Sequence, residues 1–449
     1  MPATGLVHVF HRLVVLVSVL VAFSIGFLLP MAVVHAAASL DSVGARTPFS
    51  MENSLDLADY CDGSDQVDDT QCIGNWITEA KNQGKHLYVS PGTYIYSKGR
   101  AIFNGFHLQC ATPLRTVFKS INNAGNLFLL TANSGVTGEP WQDISIENCG
   151  FDLNGTTVNF ASVITLLGNT APVQYVTVRG NLVYDSTQPG QMYTTDDRQR
   201  QYIVILNAED VLVENNNLSE GGRIKVGRPG RRVVIRNNTL YNINNNAITV
   251  VDRLPVSISS DILIEGNTII NPLGSGIFFG TDGQSVGTET LEVYDVTIRN
   301  NVIMGDFNTA CITGTLPNKT ARIYISNNTC RKTGSAGTFV AGILLNRANH
   351  SLLYTQDITV KENIIRSDIA GAYNSLGGIF VGDRFDNLCV LGNKIYDTGT
   401  AIRLRNYMIN VKATGNELDG GKMGIGPTVQ VDRSGNTSGC FEISSASND

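Results

Sequence analysis

Charged residues close a series of short apolar segments in the second half of the chain. They are Asp252 and Arg253 after "AITVV", Asp282 after "GIFFGT", and Asp383 and Arg384 after "GGIFVG". An arginine or lysine beside an acidic sugar neutralises its carboxylate and acidifies the neighbouring C–H, and a second basic group then removes that proton. Two neighbouring aspartates would instead serve hydrolysis, because crowding of like charges raises the pKa of one of them.

The candidate residues divide into two groups by the role expected of them. The candidate catalytic residues are Asp252, Arg253, Asp282 and Lys225, and the candidate substrate-binding residues are Arg228, Phe278, Arg347, Phe380, Asp383, Arg384 and Arg403. Guanidinium groups bind carboxylates bidentately, and phenyl rings offer stacking faces for sugars. The alternative is a surface ladder of Asp–Arg pairs that only keeps the segments soluble and in register. With six histidines and no cluster among them, histidine-centred catalysis is not favoured.

The elements that must position these residues repeat along the chain. The stretch "VVIRNN" at 233–238 recurs, at intervals of 22 to 35 residues, as "ISIENC", "VTVRGN", "VLVENN", "ILIEGN", "VTIRNN", "IYISNN", "ITVKEN", "LCVLGN" and "VKATGN". Each motif alternates like a strand, a second strand follows its last residue, and a third follows a polar loop. Three strands per turn, about ten turns and uneven loops predict an all-β, single-stranded right-handed parallel β-helix with three sheets. Neither a leucine-rich repeat nor a propeller fits this pattern.

The asparagine that closes each motif is expected to be structural. Its short amide bonds backbone groups at a bend, tolerates a left-handed φ, and stacks on the equivalent residue of the next coil. The residues concerned are Asn216, Asn238, Asn267, Asn301, Asn328, Asn363, Asn393 and Asn416.

The stretch "DGSDQVDDTQCIGNWITEAKNQGKHLYVSPGTYIY", residues 62–96, resembles the opening of the pectate-lyase-like (pectin-lyase-fold) superfamily. The matching residues are Asp62, Gly63, Asp68, Asp69, Thr70, Ile73, Ala80, Gly84 and the strand "VSPGTY". The resemblance implies a parallel β-helix whose open end is covered by a helix near residues 72–83, with Asp69 or Thr70 as its N-cap. It implies no single activity, since the superfamily contains lyases, hydrolases, epimerases and phage tailspikes.

No subfamily signature is complete. "RIK" at Arg223 to Lys225 is the only part of the polygalacturonase pattern in place, so we interpret it as coincidence, and the Asp-Pro-His motif of mannuronan epimerases is absent. No cofactor is assigned. The resemblance admits Ca2+, which several lyases of this fold use, but no carboxylate cluster in the sequence is dense enough to hold it.

The resemblance also implies that substrate lies in a groove along the first sheet. If Ile224, Ile248, Ile277, Ile343, Ile379 and Ile402 point inward, the outward residues are Lys225, Thr249, Phe278, Ile312, Leu344, Phe380, Arg403 and Arg405. A second file at the strand ends contains Arg228, Asp252 with Arg253, Asp282, Thr315, Asn346 with Arg347, and Asp383 with Arg384. Neighbouring coils are about 4.8 Å apart, which would bring Asp252 close to Asp282.

The ends of the chain and its cysteines indicate export. Residues 1–38 resemble a signal peptide cleaved near Ala36 or Ala38, with a retained membrane anchor as the alternative. An N-terminal extension at 39–60, a β-helix domain at 61–440 and a tail at 441–449 follow, and no other segment is suited to span a membrane. The eight cysteines suggest sequence-local disulfides, Cys61 with Cys72, Cys110 with Cys149, Cys311 with Cys330, and Cys389 with Cys440, although sequence cannot fix connectivity.

The net charge of -6 argues against a nucleic-acid partner. The leading hypothesis is an exported enzyme, secreted, periplasmic or on the cell surface, that cleaves an acidic glycan, with β-elimination ahead of hydrolysis. A carbohydrate-binding protein, adhesin or tailspike-like structural protein is the competing class, and the oligomeric state is open.

Overall fold

Alternating apolar and polar residues form short strands throughout the computed structural model, and all assigned strand pairs are parallel. The structure describes residues 40–121, 128–133, 141–155, 162–169, 171–187, 201–252, 256–281, 290–317, 319–334, 341–347, 354–369, 377–419, 422–426, 429, 431–432 and 439–440. Residues 43–449 form one unit. Leu40–Ser42 is a short 3-10 turn. No helix in the described part of the chain is long and apolar enough to cross a membrane, and the predicted signal segment and the 441–449 tail lie outside that part.

The strands fall into three stacks, here called sheets 1, 2 and 3 in the order met after the loop of each coil. Sheet 1 contains Arg100–Ala101, Phe128–Asn133, Ser162–Leu167, the first parts of Ile203–Glu214 and Ile224–Arg236, then Ile248–Asp252, Ile277–Thr281, Ala310–Leu316, Ala341–Arg347, Gly377–Val381, Thr400–Leu404 and Lys422–Ile425. Sheet 2 contains Ser54–Asp56, His86–Val89, His107–Cys110, Trp141–Glu147, Val173–Arg179, the second parts of the two long strands, then Val256–Glu265, Thr290–Arg299, Lys319–Ser326, Thr355–Lys361, Phe385–Leu391, Ile409–Thr414 and Val431–Asp432.

Sheet 3 has 12 strands, each of the later ones following a motif asparagine: Gly92–Tyr96, Thr116–Ser120, Gly150–Asp152, Leu182–Tyr184, Asn217–Ser219, Thr239–Ile243, Thr268–Pro272, Val302–Gly305, Thr329–Lys332, Ile364–Ser367, Lys394–Tyr396 and Glu417–Asp419. The predicted fold class, a parallel β-helix, is therefore confirmed. Ser54–Asp56 pairs with His86–Val89, so sheet 2 begins inside the segment expected to be an extension.

Inward isoleucines of sheet 1 form a continuous column. Ile248 pairs with Ile277, Ile277 with Ile312, and Ile312 with Ile343. All are fully buried, because each side chain packs between the equivalent residues of the coils on either side. The prediction that Ile312 faces outward is wrong, and Thr313 occupies that position, opposite Phe278. The next inward position is Gly314, where a Cβ would lie 2.6 Å from the Phe279 ring. The Phe279 ring fills the space that a side chain at position 314 would need, so the sequence has a glycine there and no apolar residue to indicate the inward position.

The motif asparagines form the predicted ladder at the bend between sheets 2 and 3. At every step from Asn181 to Asn416, the backbone N–H of one asparagine donates to Oδ1 of the next asparagine at 3.0 Å. The Nδ2 of the first asparagine donates to the same Oδ1 at 2.9 to 3.0 Å. The left-handed φ, however, belongs to the residue before each ladder asparagine, such as Asn237 or Gly266. These are the residue types that adopt this conformation at least cost.

The helix Thr70–Gln83 packs beside the first strands of sheet 2. Its apolar face, Ile73, Trp76, Ile77 and Ala80, has helical spacing and is buried in the core. Trp76 Nε1 donates to the Leu55 carbonyl at 3.0 Å. Asp69 is the N-cap residue, but its carboxylate accepts the Ile95 N–H at 2.8 Å and does not bond the helix. All four predicted disulfides are present.

Candidate functional site

The outward-facing residues of sheet 1, here called its outer file, lie at the predicted positions except that Thr313 replaces Ile312. Its members, each paired with the next, are Lys225, Thr249, Phe278, Thr313, Leu344, Phe380 and Arg403. Lys225 is 8% exposed and Phe380 5%, whereas Arg403 is exposed. The accessible cation of this file therefore lies toward its C-terminal end.

The predicted catalytic residues occupy the earlier coils. Asp252 ends the strand Ile248–Asp252 and pairs with Thr281, one residue before Asp282. The sequence alignment treated the two aspartates as equivalent, but the strand register places them one residue apart. Arg253 and Asp282 lie outside the described residues, and only the backbone of Asp252 is described. Their approach and their role remain predictions.

Arginines converge where the later strands of sheet 1 end, and we call Arg347, Arg384, Arg403 and Arg405 the arginine cluster. Burial, followed by the positive charge of Arg384, lowers the pKa of the Arg347 guanidinium. Arg403 and Arg405 line a cavity of 370 Å³ together with Asn406. These residues come from successive coils, and the chain turns sharply at Arg384, whose φ is 66°.

Two aromatic rings belong to the same region. The Arg384 Cζ atom lies 4.9 Å from the centroid of the Tyr407 ring, and the Arg405 Cζ atom lies 5.9 Å from that of Phe380. Tyr407 is 51% exposed, so one face of its ring is open to a ligand. The site therefore combines guanidinium groups, which suit carboxylates, with one exposed aromatic ring, that of Tyr407.

The structure brings together some of the predicted binding residues and separates others. Arg347, Phe380, Asp383, Arg384 and Arg403 lie on three successive coils. Lys225 is five coils from Phe380, or about 24 Å, and Arg228 is on the same coil as Lys225. Phe278 lies between them, two coils from Lys225.

Tyr407 and Asn406 were missed by the sequence interpretation, and Arg405 was placed outward but given no role. The run "RLRNY" at 403–407 carried the signal, since two arginines at alternate positions share one face of a strand. The Asn406 N–H donates to Asp383 Oδ1 at 2.9 Å. This is the only carboxylate whose side chain is described on the outer face of sheet 1 or at its strand ends.

Opposite charges do alternate regularly, but on the outer face of sheet 2. The fourth motif position is occupied in successive coils by Glu147, Arg179, Glu214, Arg236, Glu265 and Arg299. Glu214 is held by Arg179 Nε at 2.7 Å and by Arg236 Nε at 2.6 Å. A charge ladder of the kind considered for sheet 1 thus lies on the outer face of sheet 2.

Metal ligands converge at one place in the described part of the chain, where Cys61, Asp69 and Cys72 offer ligand atoms within 4.8 Å of one another. Both cysteines are bonded to each other, so their sulfurs are not thiolates and the group does not fit a metal ion. No residues can be assigned to the Ca2+ that the resemblance admits.

No protein-family model matches the sequence, and a search of curated proteins finds no similar sequence. Among solved structures, the chain is similar to the A-module of Azotobacter vinelandii mannuronan C-5 epimerase AlgE6, with 14% identity, a TM-score of 0.60, and coverage of 84% of this chain and 97% of that chain. The Family 28 exopolygalacturonase of Yersinia enterocolitica has 12% identity and a TM-score of 0.58, with coverage of 83% of this chain and 78% of that chain. PfbA, a surface adhesin of Streptococcus pneumoniae, has 15% identity and a TM-score of 0.51, with coverage of 84% of this chain and 90% of that chain. These similarities and the strand order define a right-handed parallel β-helix protein.

Proposed function

We propose that the chain binds an acidic polysaccharide along the outer face of sheet 1 and cleaves it by β-elimination. The observation that carries the proposal is the arginine cluster, which places four guanidinium groups on three successive coils beside the ring of Tyr407. A uronate polymer carries a carboxylate on each unit, the group that guanidinium binds bidentately. The names of two similar structures, a mannuronan epimerase and an exopolygalacturonase, also concern polymers of uronates.

The division of roles follows from position. The arginine cluster binds and orients the polymer, while Asp252, Arg253, Asp282 and Lys225 act three to five coils from Arg384, or about 14 to 24 Å. There a cation neutralises the uronate carboxylate and a basic group removes the adjacent proton, so that a carbon–carbon double bond forms while the glycosidic C–O bond breaks and its oxygen leaves with the departing sugar. The four disulfides suit an exported protein, and we propose that it acts outside the cytoplasm, secreted, in the periplasm or at the cell surface.

The test is incubation with polygalacturonate, alginate and exopolysaccharides of diverse charge. New ultraviolet absorbance from unsaturated uronates establishes a lyase, whereas new reducing ends without it establish a hydrolase. Asp252→Ala and Arg253→Ala should each abolish turnover while leaving the unfolding transition unchanged. Wild-type rates in both variants would exclude this catalytic assignment.

A second candidate is binding without cleavage, as in an adhesin. It is favoured by the similarity of the fold to that of PfbA, a surface adhesin of Streptococcus pneumoniae. Retention of a glycan with no product by either assay would establish this candidate.

A further inference from the structure

A second polar cavity lies far from the arginine cluster, at the start of the β-helix. It has a volume of 460 Å³ and lies between the end of the helix Thr70–Gln83, the outer face of sheet 2 and the segment 43–50. That segment crosses sheet 2, where the Ala45 N–H donates to Thr177 Oγ1 at 2.8 Å. Pockets of a few hundred Å³ hold one small organic molecule.

Two histidines distant in sequence meet in this cavity. The rings of His86 and His107 are 4.7 Å apart between centroids, because the two residues lie on neighbouring strands of sheet 2. His107 is nearly completely buried, with Nδ1 at 2.9 Å from Ser145 Oγ and Nε2 at 3.5 Å from Asp143 Oδ2. The ring is fixed from both sides and supports the floor of the cavity.

The tautomer of His86 follows from its backbone partner. The Ser50 N–H donates to His86 Nδ1 at 2.9 Å, so Nδ1 carries the lone pair and the ring proton is on Nε2. Burial lowers the pKa of His86, which favours the same neutral form. No described residue accepts a hydrogen bond from Nε2, and His86 lines the cavity.

The acceptors of the cavity are satisfied by the protein itself. Asp143 Oδ1 accepts the Arg46 N–H at 2.7 Å and the Thr47 N–H at 3.0 Å, and Oδ2 accepts the Thr47 hydroxyl. The Asn104 side-chain oxygen accepts the Gln142 N–H at 2.7 Å, which leaves its amide N–H groups as donors. The acceptors of Asp143, Asn104 and His86 are therefore occupied.

Donors remain. They are the His86 Nε2–H, the Asn104 amide and the Lys81 ammonium, and among described residues Lys81 has no ion pair or hydrogen-bond partner. A ligand must then supply acceptors, and a full negative charge is the natural partner of Lys81. Phe103, also in the lining, offers an apolar contact for the body of the ligand.

We infer that this cavity is a second binding site, which takes a single anionic sugar unit through Lys81, His86 and Asn104. The anion is an oxyanion, either the carboxylate of a uronate or the sulfate ester of a hexose. The choice of a sugar as its carrier rests on the proposed function. The site is separate from the face of sheet 1, so it binds the end or a branch of a glycan without competing for the arginine cluster.

The experiment is calorimetric titration of the full chain with galacturonate, a hexose 6-sulfate and neutral galactose. At least one of the two anionic sugars should bind, and their relative affinities will show which oxyanion is preferred. Galactose should not bind. Lys81→Met should weaken binding about tenfold or more, since a charged hydrogen bond is lost. Lys85→Met, at the same helix end but outside the lining, should bind as the wild type does.

A nuclear magnetic resonance measurement keeps the inference testable if a variant folds poorly. The 15N spectrum of wild-type histidines should show His86 protonated on Nε2, and that signal should shift on titration with the bound sugar. Binding unaffected by Lys81→Met, equal binding of galactose, or no binding of either anionic sugar would overturn the inference. Weaker sugar binding on Lys81→Met, measured in an Arg384→Gln background that no longer cleaves polymer, would separate this site from the proposed function.

Discussion

Arg347 and Arg384 carry like charges on neighbouring coils, and their interaction, together with burial, lowers the pKa of Arg347. A polyanion with a carboxylate on each unit can contact both guanidinium groups at once. This relationship is the reason for placing the polymer at this end of sheet 1.

Removing one of these cations tests that placement. Arg384→Gln should weaken binding of polygalacturonate or alginate about tenfold and reduce the salt dependence of the affinity, because one charge-assisted contact is lost. Arg331→Gln is the control, since Arg331 lies on sheet 3 and is paired with Asp368 at 2.7 Å. Calorimetry at two salt concentrations gives both quantities, and equal affinities for the two variants would contradict the placement.

The asparagine ladder should be costly to break at any inner step. Asn301→Ala removes the acceptor of the Asn267 N–H and the donor to the Ile264 carbonyl, and both groups are buried. We expect a loss of about 3 kcal/mol in the free energy of unfolding, measured in urea. The neighbouring Asn300→Gly is the control. Asn300 is exposed with a φ of 57°, which glycine also adopts, so its change should stay within about 0.5 kcal/mol.

The charge ladder on sheet 2 predicts a smaller effect. Glu214→Gln leaves Arg179 and Arg236 facing a neutral amide, and we expect a loss of about 1 kcal/mol that shrinks in high salt. Glu417→Gln is the comparison, because Glu417 is 58% exposed and its contact with Lys394 is 3.8 Å long. Urea titrations at low and high salt would measure the difference, and equal losses would argue against the ladder as a stabilising unit.

Stability should fall on mild acidification through His86 and His107. Burial is the main cause that lowers the pKa of both, so the folded state binds fewer protons than the unfolded state just below the ordinary value of about 6.5. The stability gained by keeping these two rings neutral is therefore fully present above a pH of about 6.5, and it is lost as the pH falls toward their lowered pKa values. Asp143 offsets this effect in part, whereas the charge of a protonated His86 lowers the pKa of His107 further.

The measurement is the melting temperature between pH 7.5 and 5.5, a window in which most carboxylates stay ionised. His86→Gln keeps an amide oxygen to accept the Ser50 N–H and removes one titrating group, so its melting temperature should depend less on pH. An unchanged dependence would assign the acid sensitivity to other residues.

The fold was largely readable from the sequence because the pleat fixes side-chain direction at every second residue. The motif alone located the asparagine ladder, and the nearness of the cysteines in sequence favoured the pairs that form. Ile312 was misplaced since Gly314, its inward neighbour, carries no apolar signal, and the Phe279 ring fills that space from the coil before.

The sites were less readable because they depend on how coils of unequal length stack. His86 and His107 meet only because their strands are paired, which no local pattern reveals. The offset of Asp252 from Asp282 has another origin and was readable: Ile248 pairs with Ile277, and Asp252 follows its isoleucine by four residues whereas Asp282 follows its own by five.

The asparagine ladder also has a direction. Each asparagine donates to the next coil, so Asn393 gains its partner only when Asn416 is in place, whereas Asn181 is already an acceptor for Cys149. Removing the coil that carries Asn416 would expose two donors of Asn393 on the coil beneath, whereas removing the coil that carries Cys149 would free an acceptor of Asn181. The described ladder is therefore polar, with donors uncovered by truncation from the C-terminal side and acceptors by truncation from the N-terminal side.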